Sequence, residues 1–336
     1  MPRFIMSGLI VSRLIRLVLS ALLVVGADAA FARAGWAQSY PSRPIRLLVS
    51  YPPGGAADLV ARAVGLPLAA RLGQPVVVEN RPGSNGNLAG ELVAGAAPDG
   101  HTLLLGPSAL FGINPHLYAK MSIDPLKDLM PVASLVSNAL LLAANPKLGP
   151  LNFRDFIAFA RSARSPLFYA SIGNGSEHHL AMEMLKQTAG IDLTHVPYKG
   201  GGPAALGVMS GDVAVMFGGG SVASLIQSGQ LRGLAISGRR RSPALPDLPS
   251  VSEFYPDYEV TLWQGLFAPL GTPPDTVARL RTEVNAVLAQ SDVMDKLAAA
   301  GSGDPYITTQ AEFTARVRAD YDKYGKVIRQ IGLKVE

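Results

Sequence analysis

Apolar and polar positions fall into alternating blocks along most of this chain. Residues 44–50 (PIRLLVS) are apolar on both faces apart from Arg46, the pattern of a strand covered on both sides. A helical segment follows, with Leu59, Ala63, Leu66 and Ala70 spaced as one face. Segments 76–78, 88–97 and, after an Asp99-Gly100 turn, 102–105 continue the series as strand, helix and strand. This alternation predicts an α/β fold, with a parallel sheet carrying helices on both faces. Ligands of such sheets sit beyond the carboxyl ends of the strands, where loops 51–58, 81–86 and 106–108 form one rim.

A second alternating series begins after the apolar runs 131–136 and 139–144, with a helix capped by Asn152 and Asp155 at its third position. Strand 167–171 runs into Gly173-Asn-Gly-Ser176 and a helix over 179–189. This repeats the strand, glycine turn and helix start of residues 44–70. The series goes on through 193–198, the turn 199–203, strand 213–217, Gly218-Gly-Gly220 and strand 233–237. A proline-rich linker (Pro243, Pro246, Pro249, Pro256) then leads into extended chain over 258–269. Two long helices close the chain, one with Thr272 as cap and Pro273 at its first position, the other opened by the box Thr309-Gln-Ala-Glu312. A chain that leaves one lobe, builds another and returns implies two hinge strands, near 135–144 and 258–267, and clamshell closure. The expected domains are 38–138 plus 260–336 and 139–259.

The first residues stand outside this pattern. Arg3, Arg13 and Arg16 precede the apolar run 17–25, and small residues follow near Ala29, Ala32 and Ala37, as in a cleavable secretory signal peptide over 1–37. The expected location is therefore periplasmic, with 299 residues left after cleavage at Ala37. The leader holds four Arg and only Asp28, so removing it leaves 26 basic against 24 acidic side chains. That near-balance gives no case for nucleic acid. The absence of cysteine excludes disulfides, thiol catalysis and Cys-ligated metal.

Candidate chemistry concentrates at the two glycine turns. Gly54 and Gly55 let the backbone approach a ligand, so that N–H groups of the first helical turn can meet a carboxylate or phosphate. The plainer alternative is a tight turn, with Asp58 as a first-turn acid complementing the helix dipole. No nucleophile elbow, P-loop or complete dinucleotide fingerprint is present, and Glu177, His178 and His179 are adjacent, which does not suit a metal on one helical face. No metal or cofactor is expected. Ser176, His179 and Asp58 could form a triad only across the gap, and Ser176 is placed as a helix cap. Tyr198 offers flat apolar area and a donor at the cleft mouth. Trp263 suits either core or ligand wall, and His195 suits a packed position.

Taken together and in order, residues 40–45 (YPSRPI), 53–58 (PGGAAD), 80–83 (NRPG), 173–180 (GNGSEHHL), 195–200 (HVPYKG) and 248–253 (LPSVSE) make the chain similar to the Bug family of extracytoplasmic solute receptors, the substrate-binding proteins of tripartite tricarboxylate transporters. The resemblance implies a two-lobed periplasmic-binding-protein fold, type II-like, with no enzymatic activity. It also implies a monomer that takes a small carboxylate, an organic acid or amino acid, in the interdomain cleft and hands it to membrane subunits. A periplasmic sensor feeding a signalling partner is the alternative, and a cleft hydrolase a remoter one. The ligand would be held largely by backbone groups and water. The residues expected at the site are Tyr51, Pro53, Gly54, Gly55, Ala56, Asp58, Ser108, Asn174, Gly175, Ser176, His179 and Tyr198. Gly218-Gly-Gly220 departs from the Asp and bulkier residues common in relatives, which suggests a roomier or more mobile floor there.

Overall fold

The computed structural model describes residues 40–334 except Pro243. The expected leader and its cleavage points, and Pro243 of the linker, lie outside the described residues. From Arg43 onward the described residues form one compact unit.

The first unit of structure is β1 (Ile45–Val49), buried at every position but Arg46, whose guanidinium pairs with Glu79 at 2.7 Å. It continues through α1 (Ala56–Leu72), β2 (Val76–Asn80), α2 (Asn87–Ala94), β3 (Thr102–Pro107) and the short helices α3 (Ser108–Gly112), α4 (Asn114–Leu117) and α5 (Pro125–Asp128) to β4 (Leu129–Ala139). Lobe 2 holds β5 (Leu141–Ala144), α6 (Phe153–Ser162), β6 (Phe168–Ser171), α7 (Glu177–Ala189), β7 (Thr194–Pro197), α8 (Gly201–Ser210), β8 (Val215–Gly218), α9 (Ser221–Gln227) and β9 (Arg232–Ile236). The chain then returns through β10 (Thr261–Pro269), α10 (Pro274–Leu288), α11 (Ser291–Ala299), β11 (Asp304–Pro305) and α12 (Gln310–Ile331).

Two sheets result, ordered β11-β4-β10-β3-β1-β2 and β7-β6-β8-β5-β9. Neither is all parallel, contrary to the sequence expectation. Apart from the two-residue edge strand β11, which pairs antiparallel with β4, the odd strand of lobe 1 is β10, antiparallel to both β3 and β4. In lobe 2 it is β5, antiparallel to β8 and β9. Each is the strand that enters its lobe directly after the chain crosses from the other, so its direction is set by the crossing and not by a helical connection.

Both crossings meet at one buried side chain. Ser237 directly follows β9, and its N–H donates to Leu140 O at 2.8 Å while its carbonyl accepts from Val260 N–H at 2.9 Å. Its hydroxyl accepts from Leu140 N–H at 2.7 Å and donates to Val260 O at 2.6 Å. Leu140 lies between β4 and β5, and Val260 immediately before β10. One residue therefore satisfies four main-chain groups of the two hinge segments, where no sheet partner remains to do so.

Two local expectations are corrected. The buried face of α1 is Ala57, Val60, Ala61, Val64, Leu68 and Leu72, whereas Leu59 and Leu66 face outward, Leu66 at 78% exposure. The helix is apolar nearly all round, so spacing alone cannot select a face. The choice falls to packing against β2, where Gly65 faces Val76 and Val78. Helix α10 is not capped by Thr272, whose hydroxyl donates to Pro269 O at 2.8 Å. Pro273 is the cap and stays extended (φ −55°, ψ 137°), because a residue before proline is kept out of the helical region, so the helix starts at Pro274. The caps read at Asn152 and at Thr309 with Glu312 are present, the latter as a full capping box.

Replacing Ser237 with Ala should strand Leu140 N–H and Val260 C=O in a buried position. Urea unfolding is expected to lose about 1 to 3 kcal/mol with an unchanged slope. A loss below about 0.5 kcal/mol would mean that water or a shifted strand replaces the hydroxyl.

Candidate functional site

The carboxyl ends of β1, β2 and β3 carry the three rim loops of lobe 1, and a network of amides ties them together. Asn80, at the end of β2, donates through Nδ2 to Tyr51 O and to Asp58 Oδ1, both at 3.0 Å. Tyr51 Oη reaches Asn85 Oδ1 at 3.4 Å, and Asn85 Nδ2 donates to Asn114 Oδ1 at 2.9 Å. Asn114, wholly buried at the start of α4, donates back to Asn85 O at 3.1 Å and to Asn87 Oδ1 at 2.6 Å. This cluster holds Ser84 and Asn85 at φ of 44° and 53°, a left-handed conformation that costs energy in residues other than glycine. Burial pushes the Tyr51 phenol well above its usual range.

Within that frame the start of α1 is open. Pro53, Gly54, Gly55 and Ala56 are exposed, and Gly55 caps the helix without any side-chain bond. Among the described residues, no acceptor takes the N–H groups of Ala56, Ala57 or Asp58. The Asp58 carboxylate is not among the open groups. It is buried, accepts from Gly54 N–H at 3.0 Å and pairs with Arg62 at 3.0 Å. The Arg62 hydrogen bond holds its pKa down to about 2 against the opposing effect of burial, with Gly54 and Asn80 assisting. Asp58 thus braces the loop while neutralised by Arg62, and the helix end it supports remains electropositive.

The matching turn in lobe 2 is largely self-satisfied. Gly173 N–H donates to Ser171 Oγ at 3.0 Å, Gly175 N–H to His179 Nδ1 at 3.1 Å, and Ser176 N–H to Gly173 O at 3.3 Å. Ser176 Oγ accepts from His179 N–H at 3.3 Å and donates to Gly173 O at 2.8 Å. Gly175 sits at φ 73° with Leu117 of lobe 1 packed where a side chain would be. Asn174 alone of this turn is exposed. The two helix starts are therefore unequal, although their sequences read alike.

Behind the lobe 2 turn, His179 stacks on His195 (3.8 Å, 10° between planes), and His195 stacks on Tyr169 and lies 2.6 Å from Ser171 Oγ. Burial, with His195 beside it, pushes His179 down to about 3. A neutral ring is what Gly175 requires, since Nδ1 must accept. His195, read as packed, is in addition a prop for the glycine turn. Ser108 is buried and bonded to Glu177 at 3.0 Å, and Tyr198 lies against Gly207 on its own lobe. Trp263 is core, donating from Nε1 to Asp320 at 2.7 Å.

No side-chain to side-chain hydrogen bond links Ser176, His179 and Asp58, since His179 reaches Ser176 Oγ only through its main-chain N–H and each side chain is committed elsewhere, so no triad is assembled. The triglycine turn is tighter than expected at two of its positions. A Cβ on Gly218 would strike Val222, and one on Gly220 would lie 3.0 Å from Gly301 O of lobe 1, while only Gly219 has open space. A cavity of about 310 Å³ lined by Lys147, Phe168, Ser210 and Asp212 lies at the amino ends of β6 and β8, the edge away from the glycine turns. Sequence reading missed Asn80, Asn85 and Asn114 as site-builders. Their clustering in and around the second rim loop was the available signal.

His178 is fully buried with no partner for Nδ1, and burial lowers its pKa to about 4. Above pH 6.5 folded and unfolded chains are both neutral at this residue. Below it the unfolded chain takes up a proton that the folded one refuses until about pH 4, so stability falls across that window. His178→Leu should therefore gain on the wild type by about 2 to 3 kcal/mol between pH 7 and pH 4.5. Parallel denaturation curves at both values that show a constant difference would overturn this.

The chain is 34% identical to Protein BugT of Bordetella pertussis over 324 residues, covering 94% of this chain and 98% of BugT. Its structure resembles that of Rpa4515 of R. palustris with adipate (TM-score 0.75, 31% identity, 88% of this chain and all of that one). It also resembles MatC from Rhodopseudomonas palustris with bound malate (TM-score 0.70, 32% identity, 86% of this chain and all of that one). The model of the tripartite tricarboxylate transporter family receptor matches residues 60–333, and the chain belongs to that family of solute-binding receptors, which are not enzymes.

Proposed function

We propose that the protein is a periplasmic receptor, exported by a leader over residues 1–37, that captures a small carboxylate between its lobes and delivers it to the membrane subunits of a tripartite tricarboxylate-type transporter. The lobes comprise residues 38–138 with 260–336, and residues 139–259, in keeping with crossings at Leu140 and Val260. The observation that carries the reading is the uncapped start of α1 behind the exposed loop Pro53–Gly55, where the N–H groups of Ala56, Ala57 and Asp58 have no acceptor among the described residues. Adipate and malate in the two related structures make a carboxylate the natural occupant.

In this reading Ala56, Ala57 and Asp58 supply backbone donors, Pro53, Gly54 and Gly55 shape the approach, and Tyr51 forms the wall behind them. Asn174 and Tyr198 face the ligand from lobe 2. Gly175, Ser176 and His179 hold that turn in shape, and Ser108 acts from beneath. A hydrogen bond to a charged group is worth about 1.5 to 3 kcal/mol, so two or three account for much of the roughly 8 kcal/mol of micromolar binding once ordering costs are subtracted.

A thermal-shift screen of adipate, malate, succinate and their monocarboxylate analogues tests the function, since a ligand at 100 times its Kd adds about 2.7 kcal/mol. No stabilisation by any carboxylate would reject it. Ala56→Pro tests the mechanism, because proline suits the first position of a helix yet removes one donor. Affinity should fall roughly 10- to 100-fold while thermal stability holds. Lys199→Ala should change affinity by less than about tenfold, because Lys199 is exposed and the charge is met by backbone.

A further inference from the structure

Glu177 is the first residue of α7, where an acid ordinarily faces water and favours the helix dipole. Here it is 6% exposed and turned across to the other lobe. Ser108 Oγ, at the start of α3, donates to Glu177 Oε1 at 3.0 Å, and the main chain of Ala109 lies beside the same carboxylate. Ser108 Oγ also accepts from Trp263 N–H at 3.4 Å, so the carboxyl is linked to the central strand β10 as well. Capping does not explain this placement, since Ser176 already caps α7. Its neighbours are engaged across the same junction. Gly175 packs against Leu117, and Leu180 joins Ala109, Ile113, Leu117, Tyr324 and Ile328 in one buried cluster.

We propose that Glu177 is a positioning residue for ligand capture, a lobe 2 side chain that registers the turn 173–176 against α3 of lobe 1. The proposal rests on the functional reading above for what the turn is positioned to do. The crossing segments at Leu140 and Val260 fix where the lobes join, but not where the glycine turn sits along that joint. The carboxyl at Ser108 and Ala109 does so, holding α7 to lobe 1 by its first turn.

Hydrogen exchange on the ligand-free full chain tests the anchor without reference to any ligand. Glu177→Ala should raise exchange on both sides of the junction, in residues 107–118 as well as 172–180, and Ser108→Ala should reproduce the pattern. The double variant should be little worse than either single one, because both delete the same bond. Glu177→Gln, which keeps an acceptor for Ser108, should restore protection. Faster exchange confined to residues 172–180 would overturn the proposal in favour of a local effect on α7. If Glu177→Ala fails to fold, Ser108→Ala decides alone. Calorimetry with adipate and malate then reads the functional half, with affinity expected about tenfold weaker in the Ala variant and near wild type in the Gln variant. Equal affinities despite a loosened junction would overturn the positioning role. A wild type that binds no carboxylate of the thermal-shift screen would reject the functional reading and the positioning role with it, leaving the exchange result as a statement about the fold.

Discussion

The structure depends on a chain that must pass twice between two sheets without leaving buried main-chain groups unpaired. At the passage each strand has lost one set of neighbours and not yet gained the next. Ser237 resolves this by offering its carbonyl, its N–H and both functions of its hydroxyl to Leu140 and Val260. A hydrophobic residue there would keep the two main-chain bonds but leave Leu140 N–H and Val260 C=O unpaired. The same constraint explains why both sheets are mixed, since β5 and β10 run against their neighbours as a result of where the chain enters.

The candidate site follows from how donors are allotted. Two helix starts with similar glycine-rich sequences end in opposite states. At α1 the buried carboxylate Asp58 is neutralised by Arg62 and, of the main-chain N–H groups, accepts only that of Gly54, so those of Ala56, Ala57 and Asp58 stay open among the described residues. At α7 two serines, His179 and the Gly173 carbonyl take the N–H groups that the turn offers. An anion held by the first needs no cationic side chain, which suits a receptor that must release its ligand. Salt bridges buried with a ligand are costly to desolvate and to break.

Much of this was legible in the sequence, because the pieces involved are local. Block alternation gave the two α/β series, the caps at Asn152 and Thr309 follow from short-range hydrogen bonding, and the two helix starts announce themselves by glycine. What could not be read depends on partners far apart in the chain. The face buried by α1 is chosen by β2, not by its own spacing, and the directions of β5 and β10 follow from the crossing. The occupancy of the α7 start depends on His195 and on Ser108, 69 positions from Glu177. The triglycine turn looked like empty space because its occupants, Val222 and Gly301, are supplied by a following helix and by the other lobe. The asparagine network was visible as composition but not as a connection.

The interleaved order of strands also sets a timetable for assembly. Lobe 2 is continuous in sequence, so all five of its strands are available once β9 has been made. Lobe 1 must wait, because β10 sits between β3 and β4 and is made only after lobe 2 is complete. Until then β3 and β4 each show an unpaired edge with Leu103, Leu104, Leu105, Leu135 and Val136 beside it, surface that invites pairing with another chain. A chain emerging amino end first would therefore be most exposed to misassembly while its second lobe is already taking shape, and shielding would be needed for residues 102–139 above all others.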